Sequence, residues 1–269
     1  PADGVGLARM EFVVNSAVKV HPMALVHFDT LKDEAAKAEI AELTRRYENK
    51  GDYFVETLAR GLSRIAAVAY PKPVIVRMSD FKTNEYAELL GGRAFEPKEE
   101  NPMIGFRGAS RYYCDNYREG FALECKAIKM LREEMGFDNV VVMIPFCRSP
   151  DEADKVLAVM AENGLARGEN GMQVYVMGEI PSNVIRAAEF AERFDGLALG
   201  SYDLYESIET LIERAHAAGA KVGLCGQAPS NNPAFAKLLV QAGIDSISVT
   251  PDSFVAVKEN VAEAEKTGQ

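Results

Sequence analysis

The chain lacks what several large classes of protein require. It has three histidines, His21, His27 and His216, and no HxxxH pair, so a histidine-rich zinc centre has no ligands to draw on. Its four cysteines, Cys114, Cys125, Cys147 and Cys225, show no CxxC spacing and are too sparse for a disulfide scaffold. They read as reduced thiols in a cytoplasmic protein. No apolar run approaches the roughly 18 residues of a membrane helix, and no basic, apolar, small-residue start marks a signal peptide. Positive charge is also short: 30 Lys and Arg stand against 40 Asp and Glu, a net charge of −10. That balance argues against nucleic-acid binding by bulk electrostatics. No GxGxxG follows any strand-like run, and nothing reads as an interdomain linker, a low-complexity tract or an internal repeat.

What remains is an alternation of short apolar runs and helical stretches over 269 residues, 48% of them hydrophobic. The strand-like runs are residues 4–8, 74–78, 103–105, 140–145, 173–178, 197–200, 221–224 and 246–249. Apolar spacings of three and four predict helices over 151–163, 182–193, 206–218 and 233–242. Ser149-Pro150-Asp151 and Pro181-Ser182-Asn183 mark helix starts, and Gly164, Gly219 and Gly243 mark stops. Residues 140–144 and 174–177 are continuously apolar, as expected of strands covered on both faces. Residues 96–102 (EPKEENP) read as a surface loop. Eight strands each followed by helix predict an α/β fold, a (β/α)8 TIM barrel in one domain, with an open doubly wound sheet as the alternative.

In such a barrel the chemistry belongs at the C-terminal strand ends. Those ends carry Arg9 and Glu11, Arg77 and Asp80, Arg107, Glu179, Ser201 and Asp203, and Cys225. Arginine forks suit carboxylate and phosphate oxygens. Two carboxylates from neighbouring strands, with room for water and ligand oxygens, suit Mg²⁺. Cys225 sits between glycines in Gly223-Leu224-Cys225-Gly226, where backbone and ligand can approach closely. Its reference pKa of roughly 8.5 suits acid–base work, although a lone cysteine also serves as a buried structural thiol.

The motifs GVGLARMEF (4–12), VIVRMSDFKTNEY (74–86), ENPMIGFR (100–107), GEIPSN (178–183), GSYD (200–203) and GLCGQAPS (223–230) resemble the C-terminal PEP/pyruvate-binding barrel of the PEP-utilising enzymes, in the phosphoenolpyruvate synthase (pyruvate, water dikinase) branch. The resemblance spans nearly the whole chain, in order. It implies a phosphotransferase domain in which Arg9, Arg77 and Arg107 bind the phosphate and carboxylate of PEP, with Asp80 beside them. It further implies that Glu179 and Asp203 hold Mg²⁺ (or Mn²⁺), and that the backbone at Gly200, Ser201 and Tyr202 receives the substrate carboxylate. Cys225 then moves the proton at the substrate methyl or methylene carbon. Phosphohistidine and ATP-binding domains of a parent enzyme are the implied partners, neither expected within residues 1–269, and a homodimer through the barrel is implied as well.

Two departures from the family pattern stand out. Tyr202 replaces the asparagine that normally precedes the metal-binding aspartate, and Leu204-Tyr205-Glu206 leads almost directly into a helix where relatives carry a longer segment with another substrate arginine. These features keep two alternatives in view, a free-standing Mg²⁺-dependent 2-oxoacid lyase or aldolase and a non-catalytic ketoacid-binding barrel.

Overall fold

The computed structural model describes residues 2–200, 208–226 and 228–267. Among the described residues seven strands form one sheet: β1 (Val5–Arg9), β2 (Val74–Arg77), β3 (Val140–Ile144), β4 (Val174–Gly178), β5 (Gly196–Leu199), β6 (Lys221–Leu224) and β7 (Ser246–Ile247). Every pairing is parallel, and each strand lies beside the one before it in sequence. Parallel neighbours need a crossover, and helices such as Lys50–Ala69, Arg118–Lys129, Pro150–Glu162 and Ile208–Ala217 supply them.

The strand sequences explain the two-layer burial. In β3, Val140, Val142 and Ile144 pack into the large core between sheet and helices, whereas Met143 joins a separate cluster with Met177 and Ala198 inside the sheet's curve. Both faces are dry, so these strands are apolar throughout. The sheet curls into a nearly closed barrel. A Cβ at Gly6 would fall 1.6 Å from Ser248 Oγ, so the start of the sheet meets the chain just past β7. Only glycine tolerates that approach.

The expected helices are present, as Pro150–Glu162, Ile208–Ala217 and Pro233–Gln241. The 182–193 stretch divides into Pro181–Ile185 and Ala187–Arg193. Ser149 caps its helix through Glu152 N at 3.2 Å, and the three predicted stop glycines all adopt positive φ.

Two expectations are corrected. Residues 103–105 form a turn, so the expected third strand is absent and the described sheet has seven strands. Its backbone groups are taken by side chains rather than by a ladder. Arg148 Nη2 donates to Gly105 O at 2.5 Å and Ile104 O at 3.2 Å, Arg107 Nη1 to Met103 O at 2.9 Å, and Phe106 N to Glu99 Oε1 at 2.9 Å. The loop at 96–102 is likewise not wholly a surface feature. The Glu96 side chain is 2% exposed and pairs with Arg111 at 2.6 Å and His21 at 3.0 Å.

Closure at Gly6 therefore leaves no room for a side chain beside Ser248. Gly6→Ala is expected to destabilise the chain by on the order of 1–3 kcal/mol through overpacking, read from the urea midpoint. Adding Ser248→Gly removes the opposing hydroxymethyl group and should recover most of the loss. Independent, additive effects would show that the two residues do not meet.

Candidate functional site

Side chains on one strand face recur every second residue, and that parity builds the site. The inner cluster of Met143, Met177 and Ala198 is completed by Leu7, Ile75, Tyr175 and Cys225. Two residues beyond Leu7 lies Arg9, beyond Ile75 lies Arg77, beyond Met177 lies Glu179, and beyond Ala198 lies Gly200. The candidate residues thus form the next inward layer, at the C-terminal mouth where barrels of this kind carry their chemistry.

Arg77 and Arg107 converge on Asp80. Arg107 clamps it with two bonds, Nε to Oδ1 at 2.9 Å and Nη2 to Oδ2 at 2.7 Å, and Arg77 Nη1 lies 3.4 Å from Oδ2. Glu11, in the helical turn after β1, accepts from Arg77 Nη2 at 2.6 Å and from Asp80 N at 2.8 Å through the same oxygen. Burial works against both guanidinium charges, yet their pKa values are raised. Glu11 and Asp80 outweigh burial at Arg77, and Asp80 does so at Arg107. Arg77 Nε and Glu11 Oε2 are buried with no hydrogen-bond partner among the described residues. Arg9 stands apart from this cluster, exposed, with its guanidinium carbon 6.0 Å from the Phe12 ring centre.

Glu179 is set by the turn that follows β4. Asn183 Oδ1 accepts from Glu179 N at 3.3 Å and Ile180 N at 3.2 Å, and its Nδ2 donates to Cys147 O at 2.9 Å. Ser182 Oγ donates to Arg148 O at 2.8 Å. The turn after β4 is thereby stitched to the turn after β3, whose Phe146 N donates to Glu179 Oε1 at 2.7 Å. Phe146 has φ of 48°, unusual for a non-glycine residue. Its ring lies 4.6 Å from the guanidinium carbons of both Arg107 and Arg148. Burial, then the Asp80 charge, raise the Glu179 pKa against the Phe146 N–H, Arg77 and Arg107. Glu179 Oε2 has no hydrogen-bond partner among the described residues. A partly buried carboxylate with one oxygen left unbonded among the described residues, and with the Asp80 charge acting on it, suits a hard cation such as Mg²⁺. Among the described residues no three His, Cys, Asp or Glu side chains cluster as a complete metal site. The expected second ligand, Asp203, lies outside the described residues, as do Ser201 and Tyr202.

Gly200 closes the far side, where a Cβ would fall 2.7 Å from Met177 Cε and 3.8 Å from Glu179 Cβ. Cys225 follows β6, with its N and Sγ both bonded to Leu199 O, at 2.8 and 3.3 Å. Burial and the Glu179 carboxylate push the thiol up to about 11, with Arg77 and Arg9 pulling the other way. At neutral pH the group is a thiol with a proton to give.

Of the sequence candidates, Arg77, Asp80, Arg107, Glu179, Gly200 and Cys225 share this mouth, and Arg9 acts on it through its charge. Sequence reading placed Glu11 at a strand end but gave it no role. Phe146, Arg148 and Asn183 were missed. Asn183 had a signal in its position at the start of a helix one turn after Glu179. Phe146 had none, because nothing in a phenylalanine announces a positive φ.

Comparison with known proteins places these residues in a family. The model of the PEP-utilising enzyme, PEP-binding domain matches residues 1–208 and 205–266. Phosphoenolpyruvate synthase of Synechocystis sp. is 56% identical over 99% of this chain and 36% of its own length. The synthases of Aquifex aeolicus and Escherichia coli are 44% and 43% identical over 99% of this chain, and 39% and 37% of their own lengths. The chain thus spans little more than a third of these relatives. A solved HpcH/Hpal aldolase/citrate lyase family protein from Burkholderia cenocepacia is 16% identical over 79% of this chain and 80% of that one, with a TM-score of 0.44. The alignment to the Synechocystis protein runs over 292 positions against 269 residues here, so at least 23 positions of that relative face gaps. The family match breaks at 205–208, in the connection after β5 that sequence reading took as shortened.

The state of Cys225 is directly measurable. Its alkylation by iodoacetamide, followed peptide by peptide, should rise about tenfold per pH unit from about pH 7 to about pH 10, because thiolate is the nucleophile. A rate that levels off near the ordinary thiol pKa of roughly 8.5 would contradict the raised value.

Proposed function

The chain belongs to the PEP-utilising enzyme family, by its PEP-binding domain, and from that premise we propose that it is the PEP/pyruvate-binding catalytic part of a phosphoenolpyruvate synthase. The reaction proposed is enolisation of pyruvate coupled to phosphoryl transfer between pyruvate and a phosphohistidine carried elsewhere in the parent enzyme. The observation that carries this reading is the meeting of two arginines, a cation-seeking carboxylate and a protonated thiol at one barrel mouth.

The residues divide the work by chemistry. Arg77 brings a buried Nε–H with no partner among the described residues, which suits an anionic ligand oxygen. Arg107 is held on Asp80, and Arg9, exposed at the rim with no ion pair among the described residues, suits phosphate charge. Mg²⁺ or Mn²⁺, held by Glu179 with Asp203, would draw electron density from the ketoacid oxygens and acidify the methyl group. The backbone from Gly200 through Ser201 and Tyr202 would take the substrate carboxylate. Toward pyruvate, the Cys225 thiol gives its proton to the methylene carbon of the enolate and is left as thiolate, with Arg77 and Arg9 offsetting the new charge. Toward PEP, the thiolate takes that proton back, and the enolate oxygen accepts the phosphoryl group.

A second reading rests on the break at 205–208. A shortened connection lacks the further substrate arginine that the family resemblance implies, while Glu179 and Cys225 are present, which favours a lyase or aldolase acting through a pyruvate enolate. Cleavage of a 4-hydroxy-2-oxoacid without any phosphohistidine donor would select it over the first.

Calorimetry with oxalate, a planar mimic of the enolate, tests the metal. Affinity should require Mg²⁺ or Mn²⁺ and fall at least tenfold in Glu179→Gln. Equal affinity with and without metal would remove the cation from the scheme. Cys225→Ala should abolish solvent exchange of pyruvate methyl protons while leaving oxalate affinity nearly unchanged, because the thiol meets only the reacting carbon.

Arg77→Lys keeps the charge and loses the fork. It should weaken PEP binding by on the order of 2 kcal/mol and oxalate binding little. Equal, unchanged affinities for PEP and pyruvate would mean that no phosphate site exists here, and the lyase reading would then lead.

A further inference from the structure

Immediately before Asp80, Ser79 is enclosed by buried polar groups that the mouth does not use. Four oxygens form a ring. Ser79 Oγ lies 2.5 Å from Tyr86 Oη, which lies 2.6 Å from Tyr117 Oη, which lies 2.8 Å from Glu124 Oε1. Glu124 Oε1 closes the ring by a hydrogen bond with Ser79 Oγ. All four side chains belong to buried residues, none more than 1% exposed. The surroundings add no proton to the ring: Ser79 N is spent on Glu124 Oε2 at 3.2 Å, and Tyr112 Oη donates to Ser79 O at 2.7 Å.

Each of the four contacts needs one proton between its oxygens, and the three hydroxyls carry three. Were Glu124 ionised, one pair of oxygens would face each other lone pair to lone pair, out of water, where an unmade hydrogen bond is most costly. We infer that Glu124 is a neutral carboxylic acid whose proton completes a closed four-hydroxyl ring, and that this ring is the positioning element for the Ser79–Asp80 turn of the barrel mouth. The part concerning Asp80 rests on the ligand-binding reading above, whereas the protonation state does not.

The electrostatic setting agrees. No cation pairs with Glu124 among the described residues. Arg111 lies 4.4 Å from the Tyr86 ring centre and 5.1 Å from that of Tyr117, but its charge is matched by Glu96. His21 meets both tyrosine rings edge-on and is itself bonded to Glu96. Glu11 adds repulsion against any charge on Glu124, the Cys125 thiol is adjacent in the same helix, and an ionised Glu124 would join Asp80 in raising the buried Tyr112 hydroxyl further. Burial pushes the Glu124 carboxyl up to about 7, in spite of its bonds from Ser79 and Tyr117. The sign for stability follows from linkage. Above an ordinary carboxyl value of 4.5 the unfolded group has lost its proton, while the folded one keeps it to about 7. The contribution of Glu124 to folding stability therefore falls as pH rises through that window and is constant above it.

Infrared difference spectroscopy on the full chain with labelled glutamate reads the proton directly. Wild type minus Glu124→Gln should show a protonated-carboxyl stretch below about pH 7 that shifts in heavy water and vanishes as pH rises. Its absence below that pH overturns the inference. Tyr86→Phe requires no change at Glu124 and separates the ring from burial. It leaves a three-oxygen chain whose two contacts are served by the Ser79 and Tyr117 hydroxyls, so the band should vanish at lower pH. An unchanged midpoint means that burial alone holds the proton and overturns the ring. For positioning, metal–oxalate affinity of wild type should fall severalfold from one unit below to one unit above about pH 7, and this step should be missing in Glu124→Gln. The same step in both proteins overturns the positioning role. A wild type that binds neither oxalate nor PEP at any pH refutes the proposed function and leaves the infrared result to stand by itself.

Discussion

Asp80 is a carboxylate taken out of water, and most of the barrel mouth is arranged around that fact. Its side chain is 1% exposed. An unpaired charge so placed costs several kcal/mol, and pairing offsets the cost only when the remaining lone pairs are also satisfied. Arg107 takes both oxygens, Arg77 adds a contact, and Glu11 both anchors the Asp80 backbone N–H and balances Arg77. The requirement that Arg107 reach Asp80 then shapes the chain from Glu99 to Arg111. Glu99 holds Phe106 N, Arg111 donates to Phe106 O at 2.9 Å, and Arg148 gathers the carbonyls of Ile104 and Gly105. A segment that reads as a strand is drawn into a turn because charged side chains claim its backbone.

The same burial weighs on the two groups that would meet a ligand. Glu179 and Cys225 are both pushed toward their protonated forms by desolvation, and the Glu179 charge adds to the pressure on Cys225. Arg77 pulls both the other way. Low polarity strengthens every one of these interactions, so modest changes in the charge carried at the mouth shift the protonation of the carboxyl and thiol together.

Much of the fold was legible in the sequence, and the failures share one cause. Strands β2 to β6 were found because parallel strands covered on both faces read as short apolar runs with capped helices between them. Arg77, Glu179 and Cys225 were picked out as strand-end residues, and the structure brings them to one mouth because the two-residue period carries inward side chains past the apolar plug. Residues 103–105 misled because Met-Ile-Gly is apolar enough for a strand, and the decisive partners, Arg148 and Arg107, lie outside the local pattern. Glu96 misled in the opposite sense: a charge among prolines and glutamates reads as solvated, and its partners His21 and Arg111 are 75 and 15 residues away. The Ser79 ring was invisible for the same reason. Long-range polar contacts leave no periodic trace.

The approach of Gly6 to Ser248 also bears on how the chain is made. The two positions are 242 residues apart, so the contact closing the barrel has nearly the largest sequence separation the chain allows. At roughly 5–20 residues per second of synthesis, Gly6 leaves the ribosome about 12–50 s before Ser248. Over that interval β1 can pair with β2, yet its other edge has no neighbour. Hydrogen-bonding groups along such an edge are a template for strands of other nascent chains. Within this sheet the first strand therefore keeps one edge open until the last one arrives, and it is over that interval that neighbouring nascent copies can pair with it.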